Sequence, residues 1–108
     1  MSLSPLDPFL YAMLATRALT CLIRGDTGEA ADWADRAARS PGAHVMISLI
    51  AVVVHSLNKD PRRANAWVAD VRSRRGDISQ AHFFASVPFR DIALRRRIAE
   101  ALAQNGFC

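Results

Sequence analysis

Gly25-Asp26-Thr27-Gly28-Glu29-Ala30-Ala31-Asp32-Trp33 and, 34 residues further on, Lys59-Asp60-Pro61-Arg62-Arg63-Ala64-Asn65-Ala66-Trp67 share a register: Asp26 meets Asp60, Ala30 meets Ala64 and Trp33 meets Trp67. The chain has two tryptophans, and one spacing accounts for both. That spacing is the length of a helix-turn-helix solenoid unit. The match widens on either side. Gly42 pairs with Gly76, while Ala15/Leu49, Ala18/Val52, Ile23/Leu57, Ala34/Val68 and Ala37/Val71 are apolar in both copies. Each aspartate stands where one helix stops and the next begins, so its carboxylate can accept from free N–H groups of the new helix. Small Ala30 and Ala64 let the second helix of a hairpin approach the first closely. Trp33, Ala34 and Ala37, like Trp67, Val68 and Val71, sit at i, i+1 and i+4 and form an apolar stripe. One hairpin cannot bury such a stripe, so neighbouring hairpins must stack.

Helix punctuation continues outward from this core. Asp7-Pro8 is a good opening for a first helix that runs to Arg24, because proline at the first helical position gives up an N–H that had no partner anyway. Gly25-Asp26 starts a second helix, about Thr27 to Arg39, which Ser40-Pro41-Gly42 ends. A third spans about His44 to Asn58, and Asp60-Pro61 opens a fourth that reaches about Arg75 before Gly76. A short fifth runs from Ser79 to about Ser86, with Asp77 and Gln80 spaced as a capping pair. Val87-Pro88-Phe89 breaks it, and Asp91 caps a last helix from Ile92 to Gln104, ended by Asn105-Gly106. Period-two alternation is absent, which predicts almost no strand. The expected fold is all-α. Two antiparallel hairpins, about 8–40 and 43–76, stack as a short right-handed solenoid, and two capping helices fill about 77–108. Met1-Ser2-Leu3 reads as a start codon with a short leader, leaving one domain over 4–108.

Composition narrows the function classes. The chain has 108 residues, 51% of them apolar, which suffices for one modest core. Its net charge of +4 comes from arginines spread along the whole length. They are not interleaved with aromatics in a stacking pattern, so nucleic acid is not the expected partner. Cys21 and Cys108 form no C-x-x-C pair, which fits a reducing, cytoplasmic location. The most apolar run, Ala43 to Leu57, includes His44, Ser48, His55 and Ser56 and falls short of the roughly 20 residues a bilayer span needs. It reads as a buried helix, with no membrane partner.

Gly25-Asp26-Thr27-Gly28-Glu29-Ala30 resembles the tetratricopeptide repeat family, whose units end in Gly-Asp-x-x-Glu-Ala followed by an apolar stripe and a helix breaker. Lys59-Asp60-Pro61-Arg62-Arg63-Ala64 departs from that pattern at the glycine and the glutamate. Leu14, Ala18 and Val52 are the best survivors of the family's first-helix positions, and the resemblance covers about Phe9 to Gly76. The segment from His82 to Asp91, with the arginine-rich helix and Asn105-Gly106-Phe107 after it, resembles the closing segment of helical-repeat regions in bacterial nucleotide cyclases and winged-helix transcriptional regulators. Ile92 stands where that family often has proline. This second resemblance implies a C-terminal piece of a larger bacterial signalling or transcription-regulatory protein with an N-terminal effector domain.

Residues for chemistry are scarce. There is no glycine-rich phosphate loop, no G-x-S-x-G and no H-E-x-x-H. His44 and His55 lie about 16 Å apart along a helix, too far to share a metal. No catalytic, cofactor-binding or metal-ligating residue is therefore expected, and no cofactor. Phe83, Phe84, Phe89 and Phe107 should pin the last two helices to the hairpins. The family resemblance implies a concave interaction face built from the first helix of each hairpin. By register that face comprises Ala12, Ala15, Leu19, Leu22 and Ile23, then Met46, Leu49, Val53 and Leu57. All are apolar, with none of the lysines or asparagines that clamp a terminal carboxylate. The resulting expectation is a non-catalytic protein–protein interaction or regulatory module. Its competitor is a homodimerisation domain that positions an N-terminal effector.

Overall fold

The computed structural model describes residues 9–87 and 89–107. The leader, the Asp7-Pro8 opening, Pro88 and Cys108 lie outside them. Six helices occupy the described residues: α1 Leu10–Ile23, α2 Thr27–Arg39, α3 Val45–Leu57, α4 Pro61–Arg74, α5 Gln80–Ser86 and α6 Ile92–Gln104. No strand occurs among them.

The helix starts follow from local chemistry. Asp26, Asp60 and Asp91 each accept at 3.2 Å from the backbone N–H three residues on, at Glu29, Arg63 and Leu94. Each cap satisfies one of the orphan donors of a helix's first turn. Asp77 does something else: its carboxylate takes the Arg75 guanidinium at 3.1 and 3.3 Å. The start of α5 is held by Ser79 and His82 instead, where the Ser79 N–H donates to His82 Nδ1 at 3.0 Å. The start of α3 also uses a histidine, His44, whose Nδ1 accepts from the Met46 N–H at 3.1 Å.

The links after α1 and α3 match bond for bond at the 34-residue spacing. Asp26 N–H donates to the Cys21 carbonyl and Asp60 N–H to the His55 carbonyl, both at 2.9 Å. Gly25 N–H donates to Leu22 and Lys59 N–H to Ser56, at 3.0 and 3.1 Å. This is the left-handed helix ending that favours glycine. Gly25 has φ +84, and Lys59 is held at φ 58 in the same place. A lysine there carries a Cβ penalty that glycine avoids. Lys59→Gly is therefore expected to stabilise the protein by about 0.5–1 kcal/mol, measurable as a higher urea midpoint at unchanged slope. The other pair of glycines diverges, because Gly42 has φ +75 while Gly76 is not among the left-handed residues.

Packing follows the chain order. α1 packs on α2 and α3 on α4 across these tight links, and α2 packs on α3. α3 also meets α1, α5 and α6. Every residue from Ile47 to His55 is buried, so the run that is apolar on all sides is the central helix of the bundle. No helix among the described residues is long and apolar enough to cross a membrane. Ala30 and Ala64 are fully buried, as a close helix approach requires. The far end is closed by Ile98, Leu102, Phe83 and Phe107, all buried. Phe83 meets Phe84 edge-on at 5.4 Å and stacks on Phe89 at 6.4 Å. Phe84 itself is half-buried beneath the Arg95 guanidinium.

Candidate functional site

Three helices converge on one carboxylate. Asp35 lies on α2 among buried Ala31 and Ala34, on the apolar stripe rather than the solvent face, and is only 8% exposed. Its Oδ1 accepts from His55 Nε2 of α3 at 2.7 Å and from Trp67 Nε1 of α4 at 3.0 Å. Oδ2 faces Arg39 at 3.5 Å and Arg63 at 3.6 Å. A carboxylate can only accept, so His55 Nε2 carries the hydrogen of the shorter contact. The other nitrogen of that ring, Nδ1, is buried without a hydrogen-bond partner. Burial alone would raise the Asp35 carboxyl. The hydrogen bonds from Trp67 and His55, with the charges of His55 and Arg39, outweigh it and hold the group below its ordinary value.

That direction sets a pH dependence. A carboxylate depressed on folding contributes stability that is fully present above its ordinary value near 3.8 and is lost as pH falls through the folded-state value. Acid unfolding monitored by tryptophan fluorescence should steepen below about pH 4, and Asp35→Asn should flatten that limb. An unchanged acid limb in the variant would assign the loss to other carboxylates, such as Asp77, which its bond to Arg75 likewise depresses.

The surface beside this hub is an open cleft of about 460 Å³ whose lining includes Glu29, Asp32, Trp33, Arg36, Arg39 and Arg63. The Arg17 and Arg36 guanidinium groups both lie over the Trp33 ring, at 4.8 and 5.1 Å from its centroid. The two register-matched tryptophans thus differ in role: Trp67 points its N–H at Asp35, while Trp33 serves as a platform for guanidinium groups. No group of three or more potential metal ligands forms among the described residues. Donors from α3 and α4 meet on this one α2 carboxylate, so the hub ties α2, α3 and α4 together.

The nine residues expected on one concave face are distributed differently. Ala15, Leu22, Leu49 and Val53 are buried, Leu19, Met46 and Leu57 are half-buried, and Ala12 and Ile23 are exposed. The cause is the position of α3: the neighbours that wrap it leave Leu49 and Val53 no solvent face. What lies open on α1 is another arc, Ala12, Met13, Thr16, Thr20 and Ile23, with Met13 51% and Ile23 64% exposed. The repeat-signature residues Gly25, Asp26, Ala30, Trp33, Asp60, Ala64 and Trp67 fall in the links and helix contacts described above. Asp35 and His55 carried no signal of their own in the sequence beyond a charge on the Ala31/Ala34 stripe and a histidine in an otherwise apolar helix.

No protein-family model matches the chain, nor does any curated protein or solved structure.

Proposed function

We propose that this domain is a non-catalytic protein–protein interaction module, built from two tetratricopeptide-like hairpins with a C-terminal cap and serving a larger bacterial signalling or transcription-regulatory protein. The hairpin reading is supported by the 34-residue register and by the matching hydrogen bonds of the links after α1 and α3. The observation that carries the interaction reading is the exposure of α1. This helix is mostly apolar and packs chiefly on α2 and α3, yet Met13 and Ile23 stand on its solvent side. Large apolar side chains left open on one helix face mark a surface suited to a partner. Homodimerisation has less support, because α1 brings Arg17 and its C-terminal neighbour Arg24 but no acidic residue, so pairing two copies sets like charges together.

The test is photo-crosslinking in the cells that make the protein, with a photoreactive residue placed in turn at exposed Met13, Arg36, Arg62 and Arg97. A light-dependent adduct with one defined second polypeptide is expected from at least one position. No adduct from any of the four would overturn the reading.

A further inference from the structure

We infer that the outer face of α1 docks an amphipathic helix whose apolar stripe is flanked by acidic side chains; this rests on the interaction reading above and names its surface and partner. Met13, Thr16, Thr20 and Ile23 are spaced by three, four and three residues, which aligns them along one side of the helix. Two of the four are threonines, but their polar atoms are turned away. Thr16 Oγ1 donates to the Ala12 carbonyl and Thr20 Oγ1 to the Thr16 carbonyl, each at 2.9 Å. With the hydroxyls bonded back to the preceding turn, neither threonine needs a polar partner from outside. The stripe thus offers two apolar anchors, Met13 and Ile23, with internally satisfied threonines between them.

At the C-terminal end the stripe runs into a recess formed by Ile23, Phe89 and Leu94. The surface is therefore longer than α1 alone, and it matches the way an amphipathic helix lays its anchors into a groove. Charge selects among occupants. Arg17 and Arg24 border the stripe and Arg90 borders the recess, while the nearby acids are Glu29 and Asp91. Asp91 is engaged in capping α6. Neither Arg24 nor Arg90 takes part in an ion pair among the described residues. A second copy of α1 would add arginines to this margin, whereas a helix edged with glutamates supplies their counter-charges.

The experiment titrates the full chain into three fluorescent synthetic helices that share one leucine stripe at heptad spacing and carry Glu, Gln or Lys on both flanks. The Glu peptide is expected to bind at least about tenfold more tightly than the Lys peptide, with the difference shrinking at high salt. Ile23→Asp should weaken the Glu peptide by about tenfold or more, and Arg24→Glu should reverse the preference between Glu and Lys peptides. Both positions are solvent-exposed, and an unchanged helical circular dichroism spectrum certifies each variant. Equal affinity for the Glu and Lys peptides, or binding indifferent to Ile23→Asp, overturns the inference. So does a dimer in sedimentation that Met13→Glu converts to monomer, which would make a second copy the occupant. Crosslinks from Arg62 or Arg97 with none from Met13 would also overturn this surface while leaving the interaction reading intact. Loss of every crosslink overturns both.

Discussion

Asp35→Ala should cost about 2–5 kcal/mol of folding stability, because it strands two N–H donors at about 1–3 kcal/mol each. His55 is wholly buried, and Trp67 Nε1 is directed at the same oxygen. Deleting the carboxylate leaves both N–H groups without an acceptor and keeps Arg39 and Arg63 beside an emptied site. Asp35→Asn should cost less, about 1–3 kcal/mol, because an amide oxygen still accepts one of the two bonds. Equilibrium urea unfolding measures both. A typical domain has about 5–15 kcal/mol in hand, so the alanine variant should lie near the edge of folding at 37 °C. A double-mutant cycle with Trp67→Phe should return a coupling of about 0.5–3 kcal/mol. A loss below about 1 kcal/mol for Asp35→Ala would mean that water takes over the acceptor role and that the hub is not a tie between helices.

This hub also marks how far the sequence could be read. Helix limits were legible because they are set by residues next to one another in the chain: Asp26, Asp60 and Asp91 cap where their spacing predicts. Asp77 has the same surroundings on paper but is drawn to Arg75, leaving Ser79 and His82 to start α5. The choice between two adjacent caps depends on which competitor lies closer in space. Lys59 shows the opposite case, where the backbone repeats the Gly25 geometry although the residue type gives no hint of it. Asp35, His55 and Trp67 come from three helices at separations that no motif records, so their meeting is a product of packing alone. The same holds for the apolar positions of α3. Their pattern announces burial, but it cannot say that the helix is enclosed on every side. For that reason Leu49 and Val53 belong to the core rather than to an open face.

Phe107→Ala should destabilise the protein by about 3–5 kcal/mol, although the residue lies beyond the last helix in an irregular segment. Phe107 is tied in four ways. Its ring is fully buried, and the Arg72 guanidinium lies 4.2 Å from its centroid. Its N–H donates to the Leu102 carbonyl at 2.8 Å, and its carbonyl accepts from Gln80 Nε2 at 3.0 Å. Arg72 also donates to the Gly106 carbonyl at 2.5 Å, joining the segment after α6 to α4. The Gly106 conformation, φ +86, turns the ring back under α6. Truncating the ring empties space in the core that Phe107 shares with Phe83, Ile98 and Leu102, and the cavity adds to the lost burial. Arg72→Ala removes only the overlying guanidinium and its bonds, so it should cost about 1–2 kcal/mol. Amide hydrogen exchange separates the two outcomes that matter. If Phe107 closes the whole bundle, its loss accelerates exchange in α3 as well as α6, since α3 is the helix on which α6 packs. If only α6 loosens and α3 keeps its protection, the C-terminal helices fold as a separate unit resting on the first four.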